Sequence, residues 1–173
     1  MSSNKGKDGE MRVIKIIADI AIQEEGFDFT RPTITNESDM GADLMIRSSQ
    51  QSLNRILHIA AGTVQSTNEC STKERSKKAI ESRVDVKTTQ SKLQTDTIEK
   101  FVADVHKHPK STGHILMGGS NLTAPAQRKF DQYQAEFKQK GKILGYISND
   151  GISRLESGYA NLVSLAPKEN EVD

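Results

Sequence analysis

From Asp96 onward the apolar residues alternate between helical and strand-like segments, and that order leaves few folds open to the chain. Asp96 to His106 places Ile98, Phe101, Val102 and Val105 on one helical face. His114 to Met117 is a short apolar strand ending in Gly118-Gly119. Thr123 can cap a helix that has Pro125 in its first turn, where a missing N–H costs nothing. That helix carries Phe130, Tyr133 and Phe137 to about Lys140, and Gly141 ends it. Ile143 to Ile147 reads as a strand and Ile152 to Leu162 as a last helix. This half therefore alternates strand and helix, the order of an α/β arrangement.

The first half reads differently. Met11 to Glu25 has Val13, Ile14, Ile16, Ile17, Ile20 and Ala21 at helical spacing, and Gly26 is a plausible stop. Phe27 to Thr35 suggests a short, irregular edge strand broken by Pro32. Ala42 to Ile46 is a short strand opening with Asp43, after the polar turn Asn36 to Gly41. Ile56 to Val64 is expected to be the next strand, and Ala79 to Thr89 another, with Ile80, Val84 and Val86 as its apolar members. The whole implies an α/β fold with a central mixed β-sheet flanked by α-helices. Residues 1–10 and 166–173 read as flexible tails, and 11–165 as a single domain with a polar insertion around 65–78.

Composition narrows the function only by exclusion. With 173 residues the chain suits one domain with a real core. The net charge of +1 provides no overall basic field for nucleic acid, so a local arrangement must carry any such argument. One cysteine, Cys70, makes neither an internal disulfide nor a cysteine-built zinc site. The best apolar run, Val13 to Ile22, is interrupted by Lys15 and Asp19, so no membrane span is expected. No secretory signal is visible, and a soluble cytoplasmic protein is the expectation.

The chemistry rests on three side chains. Asp85 and Lys87 are two apart on a strand and therefore share a face, while Val84 and Val86 point the other way into the core. Asp43 begins an earlier strand. Two carboxylates from different strands make a hard oxygen site suited to Mg²⁺, with Mn²⁺ able to substitute, and the main-chain carbonyl of Val86 is placed to complete the shell. Such an ion stabilises charge on a scissile phosphate and lowers the pKa of a bound water. Lys87 can then orient that water, deprotonate it or neutralise developing charge. The pattern is not specific by itself. Glu136-Phe137-Lys138 repeats it within a helix, and the competing reading of Asp85 and Lys87 is a solvated strand face with adjacent opposite charges.

A longer pattern surrounds these residues. Glu25-Gly26-Phe27 closes the first helix, Gly41-Ala42-Asp43-Leu44-Met45-Ile46 follows, and Arg83-Val84-Asp85-Val86-Lys87-Thr88 makes the acid-x-Lys strand. His114-Ile115-Leu116-Met117, Asn121-Leu122-Thr123, the Ala124 to Lys140 helix and Ile143 to Ile147 complete it. In this the chain resembles the PD-(D/E)xK nuclease superfamily, and within it the Mrr-like restriction endonucleases, over most of Met11 to Leu165. The resemblance implies a restriction-endonuclease-like fold and a metal-dependent endonuclease acting on DNA, in restriction, defence or mobile-DNA processing. Catalysis would fall to Asp43, Asp85 and Lys87, and Gln90 lies where some members have a functional glutamine. Many members carry an acid in the first helix, for which Asp19 and Glu24 are the candidates. The polar Gln65 to Lys78 stretch looks like an insertion that lengthens the spacing from Asp43 to Asp85. A homodimer and a specificity-conferring protein partner are further expectations.

Lesser features have alternatives beside them. Lys73, Arg75, Lys77 and Lys78 make a basic run that is either a solvated loop or a contact to a DNA backbone. His106, Lys107, His108 and Lys110 suit a helix C-terminus, or else a phosphate. His58, among Ile56, Leu57 and Ile59, reads as a core or edge histidine. No Walker spacing follows Gly118-Gly119, and there is no nucleophile elbow. The alternative to an active nuclease is a catalytically inactive module of the same fold that binds nucleic acid or a protein partner.

Overall fold

A computed structural model describes residues 5–31, 44–63 and 78–160. Among the described residues ten elements follow one another: α1 (Lys5–Gln23), β1 (Asp28–Thr30), β2 (Leu44–Ser49), α2 (Gln50–Ala61), β3 (Ala79–Lys87), α3 (Thr95–Lys107), β4 (Gly113–Gly118), α4 (Ala124–Gln139), β5 (Ile143–Ile147) and α5 (Asn149–Gly158). The strands lie in one sheet in the order β1-β2-β3-β4-β5. The first two pairings are antiparallel and the last two parallel, so the fold is α/β with a mixed sheet flanked by helices. No described helix is long and apolar enough to cross a membrane.

The sheet separates two apolar clusters. On one face Leu44, Ile46, Val84, Ile115, Met117 and Ile147 meet α1, α2 and α5 through residues such as Ile20, Leu53, Ile59 and Leu155. On the other, Leu116 and Leu144 meet α3 and α4 through Ile98, Phe101, Val102, Phe130 and Phe137. Strand alternation alone assigns these faces. Each large apolar side chain so buried contributes roughly 1.5–3 kcal/mol.

Two expectations are corrected. The strand expected over Ile56 to Val64 is helical through Ala61, and Val64 lies outside the described residues: Ile56, Ile59 and Ala60 belong to α2, which begins earlier and buries Leu53 as well. The spacing Leu53, Ile56, Ile59, Ala60 is helical, and a window opened at Ile56 loses its first member. Ser49 caps the helix, accepting from the Ser52 N–H at 3.0 Å, and Gly62 closes it in the left-handed conformation with φ 78°. Helix α1 starts at Lys5, not at Met11, so residues 5–10 are not a tail. Elsewhere the predicted elements recur with shifted ends; α5 begins at Asn149, three residues before Ile152, capped by Ser148.

Candidate functional site

The alternation of β3 decides what meets at its end. Val84 is buried and Val86 packs against the α1-side cluster, as expected. Arg83, Asp85 and Lys87 therefore face the α3 side, where Asp85 stands opposite Leu116 in the parallel ladder. Asp85 and Lys87 do come together: Lys87 Nζ is 3.4 Å from Asp85 Oδ1. Their surroundings differ. The Asp85 side chain is 15% exposed and that of Lys87 41%, so the carboxylate is largely desolvated while the ammonium reaches solvent.

Burial raises the Asp85 carboxyl above its ordinary range. The charge and hydrogen bond of Lys87 pull the other way, Asp104 adds to the rise and Arg83 opposes it. Arg83, Asp85, Phe101, Asp104, Val105 and His114 line a small cleft between β3, β4 and α3. Half-buried Arg83 is lowered by desolvation and supported by Asp104, Asp85 and Glu81. His114, opposite Arg83 in the ladder, is buried and pushed down to about 4 by desolvation, with Lys142, Arg83 and His108 acting in the same direction. Its Nε2 donates to the Ser111 carbonyl at 3.2 Å, a bond that favours the protonated ring but is outweighed by the desolvation.

Of the other candidates, Val86, Gln90 and Lys78 are described. Gln90 is exposed in the β3–α3 loop, its Oε1 3.4 Å from Asn149 Nδ2. The Val86 main chain lies opposite Met117 in the ladder. Lys78 is exposed immediately ahead of β3. Asp43, Lys73, Arg75 and Lys77 lie outside the described residues. Leu44, which follows Asp43 in the chain, pairs with Val84, which precedes Asp85.

Neither proposed helix-one acid joins Asp85. Glu24 is buried beyond the other face of the sheet, where Tyr159 OH (2.8 Å), Ser52 Oγ (3.2 Å) and Arg55 Nη1 (2.5 Å) all meet its carboxylate. It ties α1 to α2 and to the chain just after α5. Asp19 is half-buried one turn earlier, within α1. The acid that α1 brings toward the end of β3 is Glu10, which lines a cleft with Ile14, Leu44 and Val86 and pairs with Arg31 at 3.2 Å. Reading residues 1–10 as a tail hid it, although Glu10 stands four residues before Ile14 and so on its face. Among the described residues no three His, Cys, Asp or Glu side chains come together as a metal site.

The histidines outside the cleft have ordinary local partners. His58 ends α2 with Nδ1 3.0 Å from Thr63 Oγ1. His108 Nδ1 donates to the Asp104 carbonyl at 2.9 Å, using an open acceptor of the last turn of α3. His106 stacks at a tilt on Phe137, ring centres 5.3 Å apart.

The carboxyl ends of β3, β4 and β5 are knitted together beside Lys87. Gly118 faces Lys87 in the ladder, and a Cβ there would collide with the Lys87 carbonyl oxygen, so only glycine permits the approach. Tyr146 OH donates to the Gly118 carbonyl at 2.7 Å, and burial raises this phenol to about 12. The chain was compared with known protein families and with curated proteins, and neither comparison returned a match.

Proposed function

We propose that the chain is a metal-dependent endonuclease hydrolysing DNA phosphodiester bonds, on a restriction-endonuclease-like fold, with Asp85 and Lys87 at its centre. The observation that carries the reading is the contrast within one ion pair: a desolvated carboxylate beside an ammonium open to solvent. Charge on Asp85 is opposed by burial and only partly offset by Lys87, which leaves the carboxylate suited to a second cation.

The donor set fits Mg²⁺, or Mn²⁺, in part. Asp85 supplies one hard oxygen ligand, and the reading assigns the second to Asp43 and a carbonyl to Val86. It therefore requires Asp43 to face Asp85 across β2 and β3. A divalent ion held there would supply a water of lowered pKa and neutralise charge on the phosphate. Lys87, paired with Asp85, donates to the oxygen on which negative charge develops. A small cleft lined by Phe101, Asp104 and Val105 of α3 lies against Asp85. Restriction, defence or mobile-DNA processing, and a homodimer that cuts both strands, belong to this reading through the family resemblance.

Plasmid DNA incubated with Mg²⁺ or Mn²⁺ tests it. Wild type nicks, EDTA stops the reaction, and Lys87→Ala lowers the rate by roughly 100-fold or more with folding intact. Cleavage that survives EDTA, or Lys87→Ala at the wild-type rate, overturns the mechanism. The second reading, an inactive module of the same fold, draws on the lack of a three-ligand group among the described residues. DNA binding without nicking under either metal is its signature.

A further inference from the structure

Three loops leave the carboxyl ends of the parallel strands, and one residue joins them: Asn149, the first residue of α5. Its main-chain N–H donates to the Gly119 carbonyl at 2.9 Å. Its Nδ2 donates to the Thr89 carbonyl at 3.1 Å and lies 3.4 Å from Gln90 Oε1. A carboxamide can in principle be turned either way, but Thr89 settles the matter. A carbonyl oxygen accepts and never donates, so the NH₂ end of Asn149 must face the β3–α3 loop. The second N–H of that group then selects the oxygen of Gln90 as the facing atom. Gln90 Nε2, with two donors, is turned away from Asn149 at an exposed position three residues beyond Lys87.

We propose that Asn149 is a positioning residue that fixes Gln90 as a hydrogen-bond donor, directed at an anionic phosphate oxygen. A hard cation would need the carboxamide oxygen of Gln90, and Asn149 engages that oxygen. The identity of the anion rests on the nuclease reading; the orientation of Gln90 does not.

The orientation is tested on ¹⁵N-labelled protein without DNA, through the side-chain amide resonances of Gln90. Asn149→Asp replaces the donor by a carboxylate, which accepts only, so Gln90 must turn its NH₂ inward. The Gln90 side-chain signals then move and exchange more slowly with solvent, while the Leu93 amide, bonded to the Asn121 carbonyl at 2.8 Å, reports an intact loop. If that variant does not fold, Asn149→Ala carries the test, with faster averaging of the two Gln90 protons expected. Gln90 side-chain signals that ignore Asn149 in the folded variant overturn the positioning.

The donor role is tested with a short duplex DNA in EDTA, which shifts the Gln90 Nε2 protons of wild type; unmoved protons in bound protein overturn it. In nicking assays Gln90→Ala lowers the rate about 10-fold, as loss of a hydrogen bond to a charged group should. Asn149→Ala lowers it about 3-fold in wild type and not at all in the Gln90→Ala background, because residues acting through one another are not additive. Equal effects of Asn149→Ala in both backgrounds would reduce Asn149 to a loop anchor and overturn the proposal. Failure of the nuclease reading shows separately, as wild-type protein that does not nick.

Discussion

Glu24 and Asp85 are acids withdrawn from water on opposite faces of the same sheet, and their partners differ. Glu24 receives a guanidinium and a serine hydroxyl from α2 and a phenol from the chain just after α5. Asp85 has one ammonium at 3.4 Å, and burial works against its charge. A carboxylate whose lone pairs are filled by protein donors holds helices together and has little capacity for a ligand. One that is desolvated and only partly compensated keeps that capacity, at some expense of stability. The α1 side of the molecule is built for cohesion, and the α3 side retains an unfinished charge.

The largest effect should come from the filled side. Glu24→Ala removes the acceptor that Arg55, Ser52 and the Tyr159 hydroxyl share in a largely buried setting, and destabilises by about 3 kcal/mol in urea unfolding. A loss below about 1 kcal/mol would erase the contrast with Asp85, because it would make Glu24 no better used than a surface acid.

Next is His114, on the cleft side. Its folded pKa of about 4 lies below the ordinary 6.5, so the unfolded chain takes up the proton first as pH falls. The contribution is complete above pH 6.5 and is lost as pH drops from there to about 4, on the order of 3 kcal/mol in total. Unfolding free energies measured across that window should slope downward toward acid, and His114→Gln should flatten the slope. A wild-type profile already flat over the same range would contradict a neutral, buried ring.

The smallest effect sharpens the comparison most. The folded Asp85 carboxyl is raised above its ordinary 3.8, so the native state holds that proton more tightly than the unfolded chain. Stability is therefore lost as pH rises through the interval between the two values, and the deficit persists at neutral pH. Asp85→Asn removes the charge and keeps the shape. It should melt above wild type at neutral pH, with the difference closing as pH falls below the unfolded value. A variant that melts lower would mean that the ion pair with Lys87 outweighs the desolvation of Asp85.

Much of the fold was legible because the relevant signals are local. The stripe Ile98, Phe101, Val102 and Val105, the Thr123 cap with Pro125 and the apolar runs of β4 and β5 each sit within one element, and each appears where its spacing places it. So does the shared face of Asp85 and Lys87, since residues two apart on a strand cannot avoid it. The misread segments were those whose pattern began outside the window considered. Leu53 completes the helical spacing of Ile56 and Ile59, and Glu10 belongs to a helix that starts at Lys5.

By itself, then, the order of residues determined the strand–helix alternation, the sidedness of β3 and the pairing of an acid with a lysine, all set by geometry over a few residues. Only the tertiary structure decided that Glu24 is a structural acid, that α3 removes Asp85 from water and that Asn149 turns Gln90 outward. Those outcomes depend on contacts between residues up to 135 apart in the chain, as between Tyr159 and Glu24. Desolvation and hydrogen-bond direction are properties of what packs around a group, and no spacing along the chain encodes them.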